Sequence, residues 1–280
     1  MVTVVTGASG QLGTAFGRLL PEAMLLSRRD LDLDRPEHVF DALAVLRPSA
    51  LINCAAYTAV DAAEANQDEA FRVNAAAVGE MARYASGAAI PFVTFSTDYV
   101  FPGDATEPYV ESTPTSPINA YGSAKLAGER LALSVNPRSL IVRTSWVISG
   151  THRNFVATMI RLAGERDVVR VVNDQQGRPT VAADLAAAAH TALESEVTGI
   201  LHLANAGATT WFGLAREAVA LAGFDPERIQ PCPTTDFPTP ARRPAYSVLG
   251  TERGGETGVT PLPHWKDSLP RVVAALTGAF

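Results

Sequence analysis

The sequence predicts an α/β protein, a doubly wound parallel Rossmann sheet with a smaller C-terminal region. Three observations predict it. Short β-branched, apolar runs alternate with amphipathic stretches through the first 150 residues. A glycine-spaced turn joins the first such run to the first such stretch. After residue 150 the alternation weakens, as expected where a second, less regular region begins.

The elements follow in order. "VTVVT" (Val2–Thr6) has the β-branched, apolar character of a central parallel strand. "QLGTAFGRLLP" has helical spacing through Leu12, Phe16, Leu19 and Leu20 and stops at Pro21. "AMLLS" (Ala23–Ser27) is a second strand. A helix from about Pro36 turns Val39, Phe40, Leu43 and Leu46 inward, and "ALINCAA" (Ala50–Ala56) is the next strand. "DEAFRVNAAAVGEMARYA" (Asp68–Ala85) reads as one helix, and "PFVTFST" (Pro91–Thr97) as another strand. Residues 102–119 form a long connection of the kind found near active sites. Residues 231–240, "PCPTTDFPTP", exclude a regular helix or a central strand. The expected domains are a dinucleotide-binding unit over 1–150, to which 180–205 returns, and a ligand-binding region from 151–179 and 206–280.

Bulk properties narrow the class. The 280 residues are 47% hydrophobic and 19% charged, which is a globular composition. A formal charge of -6, with no basic run, argues against nucleic acid or an anionic membrane as the main partner. The two cysteines, Cys54 and Cys232, have no metal-ligand spacing, so no metal is expected, and Cys54 in "LINCAA" reads as a core thiol. With no basic segment before a long apolar stretch and no apolar run of membrane length, the expected location is cytoplasmic.

Gly7, Gly10 and Gly13 in "TGASGQLG" follow a strand and open a helix. Glycine allows positive φ and close backbone approach, and a helix N-terminus attracts anions. This context predicts a pyrophosphate cradle for a dinucleotide. In many such folds an acid ending strand two bonds the ribose 2′-hydroxyl. Here that position is Ser27, followed by Arg28, which favours NADPH over NADH; the alternative for Arg28 and Arg29 is a solvated surface pair.

"YGSAK" sets Tyr121 and Lys125 four residues apart on one helix face. "FSTDYVF" places Ser96 and Thr97 at the end of a strand. A ketone reduced by hydride leaves an alkoxide that needs a proton. Tyrosine, with an ordinary pKa of about 10, supplies it near neutrality only with help, and a neighbouring ammonium favours the phenolate. A threonine hydroxyl can stabilise the developing charge. Glycine loop, strand-end hydroxyl and Y-x-x-x-K together resemble the extended short-chain dehydrogenases/reductases.

Further stretches narrow the resemblance. "NCAAYTAVDAAE", "STDYVFPG", "SPINAYGSAKLAGE", "RTSWVISGTHRNFV", "VVNDQQGRPT" and "RRPAYSVL" occur in that order across nearly the whole chain. Together they are similar to the dTDP-4-dehydrorhamnose reductase family. That resemblance implies reduction of the C4 ketone of a dTDP-linked 4-keto-6-deoxyhexose, giving dTDP-L-rhamnose. It implies Tyr121 as proton donor, Lys125 tuning it and holding the cofactor, and Thr97 beside the reacting oxygen. The cofactor would face Gly7, Gly10, Gln11, Leu12, Gly13, Ser27, Arg28, Asp32, Leu33, Ala56, Tyr57 and Thr58. The sugar nucleotide would face Thr97, Asp98, Trp146, Asn154, Gln175 and Arg242. Asp98 could instead cap a turn, Trp146 could be core, and only one of Arg242 and Arg243 is expected on the ligand.

The sequence departs from the family pattern in places. Ser27 stands where an acid is frequent, and Tyr246 where asparagine is common. Thr14 and Ala15 replace an early glutamate that in some members holds magnesium between subunits, so monomer or metal-free homodimer is expected. The alternatives are a reductase of another dTDP-4-keto-6-deoxysugar, a nucleotide-sugar epimerase or dehydratase, and a non-catalytic regulatory subunit of the same fold. His152, His202 and His264 match no metal or carboxylate pattern and read as core or surface residues.

Overall fold

The computed structural model describes residues 2–255 and 257–278. Six strands form one wholly parallel sheet: β1 (Thr3–Thr6), β2 (Met24–Leu26), β3 (Ala50–Asn53), β4 (Phe92–Thr97), β5 (Leu140–Thr144) and β10 (Gly199–His202). Their spatial order is β10-β5-β4-β3-β1-β2. The chain runs outward from β1 to β2, then crosses to β3 and proceeds the other way. The carboxyl ends of β1 and β3 therefore diverge at a switch point, where open α/β sheets bind ligands.

The register explains the layers. Side chains alternate across a strand, so Val4 and Val5 face opposite sides. Val5, Ile52, Val93 and Leu140 pack beneath α1 (Gln11–Leu19) and α8 (Ala182–Glu194) through Phe16, Leu185 and Ala189. Val4, Leu51, Phe92 and Ile141 pack beneath α2 (Val39–Leu46) and α5 (Ala77–Ala88) through Leu43, Val78 and Met81. Strands buried on both faces read as continuous apolar runs, which is why they were visible in the sequence.

The stretch expected as one helix over 68–85 is broken. Short helices α3 (Val60–Ala65) and α4 (Gln67–Phe71) lead into a π-helical turn, Arg72–Ala76, before α5. The extra residue in that turn lets the buried Asn74 face the Tyr57 backbone. Helix α6 (Ala120–Val135) then lies against this turn. A Cβ at Gly128 would stand 2.0 Å from the Asn74 carbonyl, so only glycine allows the contact.

The remaining strands are short pairs: β6 (Val147–Ile148) with β9 (Thr180–Val181), β7 (Val169–Val172) with β12 (Ile229–Cys232), and β8 (Gln176–Gly177) with β11 (Thr209–Thr210). Pro231 lies in β12, which among the described residues pairs only with β7, so its missing N–H faces no second strand there. Helices α7 (Phe155–Glu165) and α9 (Trp211–Leu221) close a small core over β7 and β12 with Met159, Val171, Val219 and Ile229, and α10 (Trp265–Thr277) packs beside α9.

Candidate active site

The cradle comes first. Gly7 has φ +67°, and a Cβ there would lie 2.5 Å from the Ala55 nitrogen. A Cβ on Gly13 would lie 2.2 Å from the Gly7 carbonyl, so this glycine lets α1 sit on the strand end. Gly10 is the N-cap of α1, with no capping side chain and no acid in the first turn. The positive end of α1 is therefore uncompensated. Residues Gly7, Gly10, Gln11 and Leu12 line a cleft of about 740 Å³. The Gln11 side chain turns elsewhere: its amide donates to the Val147 carbonyl at 3.1 Å and accepts from Ser149 Oγ at 2.9 Å and Asn154 Nδ2 at 3.1 Å. Asn154 also caps α7 through Ala157 N at 3.1 Å, so its amide ties the two regions together.

At the other end of the cleft stand Arg28, Asp32 and Leu33. Arg28 Nε lies 3.2 Å from Asp32 Oδ1, and its Nη2 lies 3.7 Å from Glu69. Ser27 N and Oγ donate to Asp30 Oδ2 at 2.8 and 2.7 Å, which turns its hydroxyl toward Asp30. Ala56, Tyr57 and Thr58 line the middle. Cys54, expected in the core, is half-buried and lines the same cleft, because β3 ends at Asn53 and the chain turns there. Desolvation raises its thiol pKa well above the usual value.

Asn74 was not among the expected site residues. Its side chain accepts from Tyr57 N at 2.9 Å and donates to Tyr57 O at 3.0 Å. It thus holds the cleft wall as a neighbouring strand would. A buried amide within the apolar run "VNAAAV" was the available signal, since such a group must find partners.

The groups expected to react stand on β4 and α6. Asn119 caps α6 by accepting from Gly122 N at 2.8 Å, and Glu64 accepts from Ala120 N at 2.9 Å. A Cβ at Gly122 would stand 2.2 Å from the Tyr99 carbonyl, so α6 begins in contact with the segment that follows β4. Tyr121 and Lys125, one turn apart, line the cleft. Burial pushes the Tyr121 hydroxyl to about 12, against a hydrogen bond with Thr97 that lowers it. Burial lowers Lys125 to about 8, opposed by the Glu129 carboxylate. Thr97 Oγ1 donates to Asp98 Oδ1 at 3.0 Å and accepts from Tyr99 N at 3.2 Å, so the side chain that caps the turn is that of Thr97, not of Asp98. Asp98 is 3% exposed, its Oδ2 makes no hydrogen bond of good geometry, and burial raises its carboxyl to about 7, against the nearby Ser247 and Thr97 hydroxyls, which lower it.

Beneath Lys125 lies a buried ion pair. Arg143 Nε and Nη2 bind Glu129 at 2.9 and 2.6 Å, and Ser96 Oγ donates to the same carboxylate. Arg143 also approaches Nε2 of the buried His202 at 3.5 Å, while His202 Nδ1 donates to the Gly250 carbonyl at 2.8 Å.

Between β5 and β6, beside the C-terminal region, Trp146 has φ +45°, a strained value for a side chain of its size. Its ring stacks on Trp211 at 3.6 Å between centroids and 8° between planes, over the space left by Gly177. Gln175 is buried and donates to Thr234 Oγ1 at 2.9 Å. Arg243 pairs with Asp61 at 2.8 Å, whereas Arg242 is exposed and makes its contact through its carbonyl, accepting from Asn119 Nδ2 at 3.0 Å. The two adjacent arginines thus point in different directions.

A Rossmann sheet with a glycine cradle at its switch point and a Thr–Tyr–Lys set beside it defines the class of short-chain dehydrogenases/reductases. Comparison with known proteins narrows the class. A family model described as RmlD substrate binding domain matches residues 1–277. A dTDP-4-dehydrorhamnose reductase of Streptomyces griseus is 42% identical, covering 98% of this chain and 94% of its own length. A probable dTDP-4,6-dihydroxy-2-methyloxan-3-one 4-ketoreductase of Streptomyces antibioticus is 43% identical, covering 97% and 96%. The dTDP-4-dehydrorhamnose reductase of Bacillus anthracis str. Ames, solved in complex with NADP, has a TM-score of 0.92 at 35% identity, covering 97% of this chain and 99% of that one. The chain belongs to the dTDP-4-dehydrorhamnose reductase family.

Proposed function

We propose that the protein reduces the C4 ketone of dTDP-4-dehydro-L-rhamnose to dTDP-L-rhamnose with NADPH or NADH. The observation that carries this reading is the convergence of the cradle, Tyr121 and Lys125 on one cleft, with Thr97 beside the Tyr121 hydroxyl, in a chain of this family. The cleft fits a dinucleotide: the Gly7 and Gly13 positions leave no room for a side chain, Gly10 leaves little, and the N-terminal turn of α1 offers N–H groups without a competing acid. When bound, the reduced nicotinamide supplies the hydride.

The protein's own groups do the rest. Tyr121 holds its proton firmly in its buried setting and gives it to the oxygen that becomes the C4 hydroxyl. Lys125, as ammonium, stabilises the resulting phenolate. Thr97 turns its single hydroxyl proton from Asp98 to the same substrate oxygen and supports charge that develops in the transition state. Asp98, with its Oδ2 in no hydrogen bond of good geometry and its carboxyl near its midpoint at neutral pH, orients Thr97 and offers a partner to a sugar hydroxyl. Trp146 forms an apolar wall for the sugar, and Arg242, exposed and without an ion pair among the described residues, is the cation for the nucleotide diphosphate.

NADPH is the preferred cofactor in this reading. Arg28 is 68% exposed in its side chain, and it turns from Asp32 to a 2′-phosphate without crossing a packed core. Arg28→Ala raises KM for NADPH about tenfold and leaves KM for NADH within about twofold. Equal effects on both cofactors would contradict this part.

A second reading concerns the sugar. The similarly identical relative from Streptomyces antibioticus carries a different ketosugar in its name. Rates with a panel of dTDP-4-keto-6-deoxyhexoses decide between the two. The proposed function requires the highest kcat/KM for dTDP-4-dehydro-L-rhamnose.

A further inference from the structure

We propose that Arg153 is the side-chain cation for the dinucleotide pyrophosphate, held over the glycine cradle by a pinned turn; this rests on the dinucleotide reading above. The turn is the Ser149–Asn154 connection between β6 and α7. It folds back onto the cradle and is fastened on both sides of Arg153. On one side, His152 Nε2 lies 3.1 Å from the Ser9 carbonyl and 3.5 Å from Thr14 Oγ1, and its Nδ1 lies 2.9 Å from Thr151 Oγ1. On the other side, Asn154 donates to Gln11 Oε1 at 3.1 Å and to the Ser149 carbonyl at 2.7 Å. The residue between these two fastenings lines the cleft together with Gly10 and Gln11.

The charges along the cleft single out this residue. Its lining includes the cations Arg28, Lys125 and Arg153 and the acids Asp32, Asp34 and Glu69. Arg28 is engaged by Asp32 and Glu69, and Asp34 pairs with Arg72 at 2.7 Å. Lys125 is buried beside Tyr121, at the catalytic end. Arg153 is exposed to solvent and forms no ion pair among the described residues. A pyrophosphate brings two negative charges to the start of α1. The helix dipole answers with about half a unit charge. A guanidinium beside the cradle supplies a full charge and two parallel N–H donors, the geometry that phosphate oxygens accept.

The test is equilibrium binding to the full chain without turnover, by calorimetry or quenching of tryptophan fluorescence. The titrants are NADPH, NADH and ADP, which carries a diphosphate but no nicotinamide. Arg153→Ala is expected to raise Kd about 10- to 30-fold for all three and to flatten the dependence of Kd on salt. Arg153→Lys recovers part of the affinity, and Arg153→Glu loses more than alanine does. Unchanged melting temperatures confirm that each variant is folded. Dissociation constants of Arg153→Ala within twofold of wild type would overturn the proposal. A loss confined to NADPH would also overturn it, by placing Arg153 at the 2′-phosphate. Wild-type protein that binds none of the three would instead contradict the dinucleotide reading itself.

Discussion

Both the sheet half and the C-terminal region carry exposed ion pairs, but among the described residues only the sheet half holds one that is buried on both sides. Beneath the catalytic helix, Glu129 and Arg143 are 3% and 2% exposed and meet through two hydrogen bonds, with Ser96 and His202 completing the network. In the C-terminal region, Arg170–Asp236, Arg216–Glu227 and Lys266–Glu217 lie on the surface. The backbone follows the same division. Six parallel strands in one register support Thr97, Tyr121 and Lys125, whereas Trp146, Gln175 and Arg242 depend on two-stranded pairs and turns. A buried, bidentate pair is costly to break, and an exposed one is not. The proposed chemistry therefore stands on the part of the molecule that tolerates little change. The proposed sugar side stands on a part that can be altered while the fold survives.

The comparison can be broken or sharpened by four measurements. Tyr121→Phe removes the proposed proton donor from the rigid half and should lower kcat by about 10²- to 10⁴-fold with a near-wild-type melting temperature. Activity within tenfold of wild type would remove Tyr121 from its role. Arg143→Ala leaves the Glu129 carboxylate buried without its cation and should cost about 3–5 kcal/mol in denaturant unfolding. A cost below about 1 kcal/mol would show that the sheet half is no more tightly held than the other.

The pH profile is the third. Lys125 is lowered to about 8 from an ordinary 10.5, so it is an ammonium below about pH 8 and a neutral amine above. In the proposed mechanism the cation supports the Tyr121 phenolate, so kcat/KM for the ketosugar should fall about tenfold per pH unit above that value. The stability sign is opposite. Burial penalises the cation in the folded state, so folding gains stability as pH rises from about 8 toward 10.5. A flat activity profile between pH 7 and 10 would contradict the role of the ammonium. The smallest effect is expected for Arg170→Ala, whose surface pair should be worth less than about 1 kcal/mol in unfolding, with no loss of cooperativity.

The same division governs what could be read from the sequence. Strands buried on both faces are continuous apolar runs, and "TGASGQLG" and "YGSAK" are contiguous, so the sheet, the cradle and the Tyr121–Lys125 spacing were legible. Asn74 escaped because a π-helical turn, set by packing against Gly128, brings it to Tyr57 across 17 residues. The dual use of Gln11 escaped for a similar reason: its side-chain partners lie more than 130 residues away. Pairing of Arg243 with Asp61 and stacking of Trp146 on Trp211 are likewise long-range contacts with no local pattern.

The most direct test follows both substrates of the proposed reaction at once. Wild-type protein is given dTDP-4-dehydro-L-rhamnose and NADPH, and cofactor consumed is compared with sugar nucleotide formed. One NADPH oxidised per dTDP-L-rhamnose, abolished in Tyr121→Phe, is the predicted result. Conversion of the sugar without net loss of NADPH, as in an epimerase or dehydratase, or no conversion at all, would contradict the account.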